Sequence, residues 1–228
     1  MIKGLQKTCL VNYPPYTVST VFMGGCNFSC PFCHNRDLVL NPGKLDTISN
    51  EEFIEFLKSR KKWLDGVCFG GGEPLLNENI VELIKKVKDL GLKVKVDTNG
   101  SNPELLKRLI DEKLIDAIAM DIKNCKEKYD ETCGCSVDMA KIEEGIDLIK
   151  KSSLEYQFRS TILPKLHSKG DIQKIGEWLK GSKEFCLQNF RAGSCIDESF
   201  DNEKGFSPEE MEEFKQVLNE YFEKVLIK

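Results

Sequence analysis

The sequence has 228 residues, with 40% hydrophobic residues, 31% charged residues and a formal net charge of −4. A chain of this length can bury one sizeable core, and this composition is that of a water-soluble globular protein. The small negative charge disfavours a general nucleic-acid binder, because such proteins use an excess of Lys and Arg to neutralise phosphates. We expect a single domain over residues 1–228, with its core at about 17–190 and a C-terminal segment and helix at 191–228.

The N-terminal residues and the cysteines predict the cellular compartment of the protein. Residues 1–10 have neither the basic start nor the apolar stretch of a signal peptide, and no segment approaches the roughly 18 to 20 apolar residues of a membrane helix. We therefore expect a cytoplasmic protein with no membrane association. In a reducing compartment, the 10 cysteines indicate free thiols and metal ligands, not disulfides.

Strand and helix patterns alternate along the chain. Residues 17–23 predict a β-branched strand that ends at a glycine pair. Ser49 and Glu52 form a capping box ahead of an amphipathic run that extends to Trp63 and Leu64. The further predicted strands are 66–70, 92–98, 115–121, 155–163 and 184–190. The further predicted helices are 78–90, 103–112, 139–150, 172–179 and a long final helix capped by Ser207.

The alternation gives six βα units and therefore predicts an α/β fold. Strict alternation implies a parallel sheet with right-handed crossovers, in which the carboxyl ends of the strands meet at one rim. We expect the functional residues at that rim. A flavodoxin-like open sheet is the structural alternative, although it does not explain the cysteine loop that follows the first predicted strand.

That loop contains Cys26, Cys30 and Cys33 in CxxxCxxC spacing. An iron-sulfur cluster normally takes four Cys thiolates, so three of them imply an iron with an open position, and an open metal position indicates chemistry. A structural zinc site with His34 as fourth ligand is the alternative. It fits less well, because zinc sites usually use two separated ligand pairs and His34 directly follows Cys33.

The loop resembles the radical S-adenosylmethionine (radical SAM) signature, with Phe32 as its aromatic residue. The residues around it, including His34 to Asp37, are similar to those of glycyl radical enzyme-activating proteins, especially the activators of anaerobic ribonucleotide reductase. The resemblance implies that the three thiolates hold one four-iron four-sulfur cluster, whose fourth iron is chelated by S-adenosylmethionine. It also implies a partial (β/α)6 TIM-like barrel with parallel strands and outer helices.

A glycine-rich motif follows the second predicted strand. Gly71, Gly72 and Glu73 resemble the family's GGE motif, which contacts the methionyl amino group of S-adenosylmethionine. Taken alone the motif is weak, because a tight strand-to-helix turn also uses glycines.

Polar residues end the next two predicted strands. Asp97 and Asn99 end the third, and Asp121, Ile122 and Lys123 end the fourth. Each could cap a turn. The resemblance implies that they lie beside the cofactor and that the aspartate pair can hold a monovalent cation.

Arg159 lies on the fifth predicted strand and needs an anionic partner there. That partner is either the methionyl carboxylate of the cofactor or a rim aspartate in an ion pair. The resemblance further implies that Phe32 packs beside adenine, that His34 makes a backbone contact to adenine and that His167 reaches the ribose. We expect no side chain to act as a general acid or base, and a lone histidine is more often structural.

Further cysteines cluster near the middle of the chain. Cys125, Cys133 and Cys135 match neither a ferredoxin spacing nor a paired zinc pattern, so we interpret them and Cys195 as incidental thiols. We therefore expect one cluster.

The resemblance implies reductive cleavage of S-adenosylmethionine to a 5'-deoxyadenosyl radical, which forms a glycyl radical on a partner enzyme. A flavodoxin or ferredoxin-type protein would be the reductant. One alternative is a radical SAM enzyme that acts on a small molecule or nucleobase, similar to 7-carboxy-7-deazaguanine synthase. An alternative of another class is an iron-sulfur electron-transfer protein.

Overall fold

The computed structural model describes residues 1–228 and has one sheet of eight strands. The strands are β1 (Ile2–Cys9), β2 (Val18–Met23), β3 (Gly66–Gly71), β4 (Lys93–Thr98), β5 (Ala117–Asp121), β6 (Glu155–Ile162), β7 (Ser182–Asn189) and β8 (Phe222–Ile227). The helices are α1 (Arg36–Leu40), α2 (Asn50–Arg60), α3 (Ile80–Asp89), α4 (Pro103–Asp111), α5 (Tyr129–Cys133), α6 (Met139–Lys151), α7 (Lys169–Trp178) and α8 (Pro208–Leu218).

The strands follow chain order across the sheet, from β1 to β8. Strand β2 pairs in parallel with β3, β3 with β4, β6 with β7 and β7 with β8, whereas β1 runs antiparallel to β2. Each strand from β2 to β7 is followed by at least one helix. The predicted α/β alternation of six βα units is therefore confirmed.

The two outermost strands were not predicted. The sequence of β1 contains Gly4 and three polar residues in its centre, so it lacks a clear alternating pattern. The final helix is also shorter than predicted, because α8 ends at Leu218 and the chain then forms β8. Both strands lie at sheet edges, where only one neighbour stabilises them.

Capping side chains set the helix starts. Ser49 and Glu52 form the predicted capping box of α2, in which the Ser49 amide donates to Glu52 Oε2 at 2.8 Å. Helix α2 ends at Arg60, so the predicted amphipathic run was too long, and Trp63 is 74% exposed beyond it. Helix α7 begins before the predicted residue 172, because Ser168 caps it through Asp171.

The chain divides into two compact units. Unit 1 consists of Met1–Asn27, Asn35–Ala119 and Ala140–Glu155. Its register places Thr20, Cys68 and Lys95 side by side on β2, β3 and β4. Because neighbouring residues in register share a sheet face, these three side chains lie on one face.

Unit 2 consists of Phe28–His34, Met120–Met139 and Tyr156–Lys228. Phe158 and Phe185 are in register on β6 and β7 and are buried. The ring of Phe185 also packs on Phe222 of β8, with ring centroids 4.8 Å apart. Aromatic packing of this kind stabilises the C-terminal part of the sheet. The single-domain expectation stays a prediction.

None of the helices has the length and apolar character needed to cross a lipid bilayer.

Candidate functional site

Cys26 lies in unit 1, after β2. The side chain of Asn99, which follows β4, contacts its sulfur. The side-chain amide of Asn99 donates to Cys26 Sγ at 3.9 Å and to Asn27 Oδ1 at 2.9 Å, and the side-chain amide of Asn27 donates to Ser101 Oγ at 2.8 Å. These contacts fix the Asn99 side chain beside the sulfur. An amide donor next to a sulfur favours the thiolate form that binds metals.

The glycine motif holds the start of the cysteine loop by backbone contacts. The Gly72 amide donates to Met23 O at 2.8 Å, and the Glu73 amide donates to Gly25 O at 2.8 Å. A Cβ added at Gly72 would lie 2.0 Å from Gly25 O, which no real side chain tolerates. Glycine at 72 is therefore required for the close approach of the two segments.

A cluster that we call the glutamate cradle surrounds the carboxylate of Glu73, which is 3% exposed. Its Oε1 accepts hydrogen bonds from the Leu75 amide at 3.0 Å and from the Thr98 hydroxyl at 2.6 Å, and its Oε2 accepts from the Asn99 amide at 2.7 Å. The cradle ties the turn after β3 to the end of β4.

Asp97 precedes the cradle on β4 and is paired within its own strand. Lys95 Nζ lies 2.6 Å from Asp97 Oδ1, with side-chain exposures of 10% and 14%. The two residues share a face because side chains alternate along a strand. The ion pair of Asp97 with Lys95 was not predicted from the sequence.

Cys30 and Cys33 lie in unit 2, in a loop whose carbonyl groups are bound by a later segment. The Ile196 amide donates to Cys33 O at 3.1 Å, and the Asp197 amide donates to Pro31 O at 3.0 Å. Phe32 is buried. Backbone bonds on both sides of Phe32 hold this part of the loop in one conformation.

The Cys30 thiol is acidic for a cysteine. A hydrogen bond from the Cys133 thiol lowers the pKa of Cys30 to about 7, against the opposing effect of burial, and the positive charge of Lys123 lowers it further. The pKa of Cys133 is raised by the same contact and by burial. A lowered pKa favours the thiolate form of Cys30, which is the form that binds metals.

Three charged side chains in unit 2, Asp121, Lys123 and Arg159, form what we call the ionic triad. Lys123 Nζ donates to Asp121 Oδ2 at 3.0 Å, and Arg159 Nε donates to Asp121 Oδ1. The Asp121 side chain is 27% exposed. The ion pair with a rim aspartate, one of the two partners considered for Arg159, is thus present.

Interactions within the ionic triad shift the pKa values of its members. Burial alone would raise the pKa of Asp121, but Arg159 and Lys123 outweigh it and hold that pKa well below its usual range. Burial alone would lower the pKa of Lys123, but Asp121 and Cys30 raise it above its ordinary value. All three groups are charged at neutral pH.

The backbone around the triad is held by two contacts. The amide of Ile122, which is buried, donates to Arg159 O at 2.8 Å. His167 Nε2 lies 2.9 Å from Lys123 O, and its Nδ1 accepts from the Leu163 amide at 3.4 Å. Both ring nitrogens of His167 are engaged inside the chain, and burial lowers its pKa. The neutral ring therefore supports the Lys123 backbone, while its contact with ribose stays a prediction.

His34 follows the cysteine loop, and its ring packs on Phe190 with centroids 5.3 Å apart. Its neighbour Asn35, in unit 1, donates from its side chain to Gly71 O at 2.7 Å. Asn35 was not among the predicted site residues. The sequence signal that pointed to it is its place in the run from His34 to Asp37, which resembles the activating proteins.

The structure has no group of three His, Cys, Asp or Glu side chains close enough to hold a single metal ion.

The chain matches the profile of the Radical SAM superfamily over residues 20–179, which is most of its length. A protein of Methanocaldococcus jannaschii, provisionally named a glycyl-radical enzyme activating enzyme, is 31% identical over 236 aligned residues, which cover 100% of this chain and 95% of that protein. The pyruvate formate-lyase-activating enzyme of Clostridium pasteurianum is 28% identical over 191 residues, covering 78% of this chain and 76% of the enzyme.

The structure of Streptococcus suis SuiB bound to S-adenosylmethionine superimposes with a TM-score of 0.68 at 14% identity. The match covers 91% of this chain and 51% of the SuiB chain, so the chain spans about half of that protein. At this identity the likeness shows the fold alone, and it confirms the predicted partial TIM barrel. The chain belongs to the radical SAM superfamily, whose members use a four-iron four-sulfur cluster and S-adenosylmethionine.

Proposed function

We propose that this protein generates a glycyl radical on a partner enzyme. The observation that carries the proposal is the 31% identity to a protein provisionally named as such an activator, which extends over 100% of this chain. A second named activator also matches over 78% of the chain.

Cys26, Cys30 and Cys33 are the proposed cluster ligands. Their donor set fits a cluster, because it offers three thiols and leaves a fourth iron open. The Cys26 sulfur already accepts a hydrogen bond from the Asn99 side chain. When bound, the cluster supplies the electron that splits S-adenosylmethionine into methionine and a 5'-deoxyadenosyl radical.

Gly71, Gly72 and Glu73 are the proposed contacts for the amino group of S-adenosylmethionine. Gly71 and Gly72 carry no side chains, and Glu73 supplies carboxylate oxygens beside them. An ammonium group donates up to three hydrogen bonds, so this combination suits it. The cradle holds these acceptors in place before the cofactor arrives.

Arg159, Phe32 and His34 are proposed contacts for other parts of S-adenosylmethionine. Arg159 is held by Asp121 through Nε, and its positive charge is proposed to attract the methionyl carboxylate. Phe32 and His34 are proposed to lie at the adenine ring. Asp97 and Asp121 each have a cationic side chain as partner, and the binding of a monovalent cation by this chain stays a proposal.

The proposed hydrogen-atom donor is a backbone glycine. The direct test is anaerobic incubation of the reduced protein, S-adenosylmethionine and a candidate glycyl radical enzyme whose glycines carry deuterium at the α carbon. We expect a glycyl radical signal in electron paramagnetic resonance and deuterium in the released 5'-deoxyadenosine. Deuterium-free 5'-deoxyadenosine and no glycyl signal with every candidate would favour a small-molecule substrate.

Replacement of a proposed ligand tests the cluster assignment. Cys30→Ala removes one of three thiolates, so we expect iron and sulfide content to fall to near zero after anaerobic reconstitution. Cys186→Ala, in β7, is the matched control because Cys186 is equally a buried thiol. Full iron, sulfide and cleavage activity in Cys30→Ala would refute the assignment.

A further inference from the structure

The segment after β7 passes along the cysteine loop within unit 2. Its Ile196 amide donates to Cys33 O at 3.1 Å, and its Asp197 amide donates to Pro31 O at 3.0 Å. The Cys33 amide donates to Cys30 O at 3.0 Å, which closes a turn between two of the proposed ligands. Because the loop has no helix or strand at these residues, the bonds from the later segment help to set its conformation.

One aspartate holds that segment in place. Asp201 Oδ1 accepts from the Cys195 amide at 2.8 Å, and Asp201 O accepts from the Gly193 amide at 3.0 Å. Cys195 is also buried, so the residue directly before Ile196 is fixed by its amide and by its packing. In an irregular segment, a side-chain oxygen that binds a backbone amide takes the place of a helix or strand partner.

Asp201 is itself anchored in unit 2. It follows a short 3-10 turn at Glu198–Phe200, and its amide donates to a carbonyl of that turn at 3.1 Å. The ammonium group of Lys165, shortly after β6, donates to Ser199 O at 3.2 Å and lies 4.1 Å from the centre of the Phe200 ring. The carboxylate of Asp201 therefore extends from a turn that is fixed from a second direction.

We propose that Asp201 is a positioning residue for the cysteine loop. It holds the segment whose amides bind the Cys33 and Pro31 carbonyls, and it thereby slows the loss of iron from the cluster. The inference rests on the proposed role of Cys30 and Cys33 as cluster ligands. Iron is lost when a local opening lets a ligand move away, and the free energy of that opening depends on the hydrogen bonds that it breaks. Loss of the Asp201 acceptor favours the opening.

The test compares Asp201→Ala and Asp201→Asn with the unmodified protein, all as full chains. Alanine removes the acceptor, whereas asparagine keeps a side-chain oxygen that can accept from the Cys195 amide. Asp65→Ala is the matched control, because Asp65 Oδ2 also accepts from a backbone amide, that of Thr17 at 2.8 Å, but in unit 1. Circular dichroism checks that each variant is folded.

The first measurement is amide hydrogen exchange of the chains without a cluster. In the unmodified protein we expect Ile196 and Asp197 to exchange at least about tenfold more slowly than exposed Ser194, after correction for intrinsic rates. Asp201→Ala should raise the rates of both amides by about threefold to tenfold, and Asp201→Asn should stay within about twofold of the unmodified protein. Asp65→Ala should leave these two amides unchanged.

The second measurement is the rate of iron release. Each chain is loaded with iron and sulfide under anaerobic conditions, and a ferrous chelator is added while the absorbance is followed. We expect Asp201→Ala to release iron about threefold to tenfold faster than the unmodified protein, with Asp201→Asn and Asp65→Ala within about twofold of it. A general loss of stability would act on both alanine variants, so the difference between them reports on the cysteine loop.

The inference is overturned if Ile196 and Asp197 are unprotected in the unmodified protein, a result that does not depend on the folding of any variant. It is also overturned if folded Asp201→Ala matches the unmodified protein in either measurement, or if Asp201→Asn behaves like Asp201→Ala. If the unmodified protein holds no cluster, the proposed function fails, and amide exchange still decides whether Asp201 positions the loop.

Discussion

The glutamate cradle and the ionic triad stabilise one carboxylate each, by different means. Glu73 is almost fully buried and accepts hydrogen bonds from two backbone amides and a hydroxyl. Asp121 is more exposed and binds the cationic groups of Lys123 and Arg159. The cradle depends on backbone geometry, whereas the triad depends on charge.

This difference indicates which of the two carboxylates can respond to a bound ligand. Breaking the cradle would leave buried amides unpaired, which is costly, so Glu73 is suited to a fixed structural role. The triad is partly open to solvent, so its charges can interact with an ionised ligand group. We therefore expect cofactor binding to depend more strongly on the triad.

Neutralising Asp121 should have the largest effect. Asp121→Asn leaves Lys123 and Arg159 with an excess positive charge, and we expect a loss of about 3 kcal/mol, the lower end for a broken buried pair because Asp121 is partly exposed. S-adenosylmethionine should bind more weakly while the cluster still assembles. Urea denaturation and cofactor titration measure both effects.

Asp147→Asn is the matched control, since Asp147 forms an exposed helical pair with Lys151, and it should change stability by less than about 0.5 kcal/mol. Unchanged cofactor binding in Asp121→Asn would put the proposed role of the triad in doubt.

The same variant predicts a pH dependence. Because the pKa of Asp121 is depressed in the folded chain, its stabilisation is complete above the unfolded value of about 3.9 and is lost as pH falls through the folded pKa. The difference in unfolding free energy between the unmodified protein and Asp121→Asn should be constant from about pH 5 to 7 and shrink below about pH 4. A difference that is equally large at pH 3 would contradict the ionic origin.

Glu73→Gln tests the cradle. Glutamine has one oxygen and one NH2 group, so at least one of the donors around it must face another donor, at a cost of about 1–3 kcal/mol. Glu55→Gln, on the exposed surface of α2, should be within about 0.5 kcal/mol of the unmodified protein. If Glu73→Gln denatures like Glu55→Gln, the hydrogen bonds of the cradle contribute little.

Gly72→Ala should destabilise the protein less than Asp121→Asn does, and its effect should be specific to the cysteine loop. The added Cβ meets Gly25 O at 2.0 Å, next to Cys26, so we expect about 1–2 kcal/mol of destabilisation and a lower iron content. Gly70→Ala is the control, because its Cβ would meet Asp97 at an ordinary 3.5 Å. Equal iron content in the two variants would argue against a role for this close approach.

The sequence predicted the parts of the fold and site that depend on local patterns. Alternating strands and helices, the Ser49 capping box and the position of the glycine motif after β3 follow from residues near each other in the chain. Edge strands β1 and β8 were missed, because their pairing depends on distant neighbours more than on their own composition.

From the sequence, the possible partners of a side chain could be reduced to a few, but the actual partner could not be identified. An ion pair was one of two partners considered for Arg159, and only the alignment of β6 beside Ile122 brings it to Asp121. The backbone contact of Ser29 with Cys133 likewise joins residues about a hundred positions apart. Such contacts are set by tertiary packing, which no local pattern encodes.

The central claim is that the reduced cluster of this chain binds and cleaves S-adenosylmethionine. The most direct measurement is electron paramagnetic resonance of the reduced, cluster-loaded protein before and after S-adenosylmethionine is added, with analysis of the products. We expect the spectrum to change and 5'-deoxyadenosine and methionine to form. An unchanged spectrum with intact S-adenosylmethionine would contradict the claim and favour an electron-transfer protein.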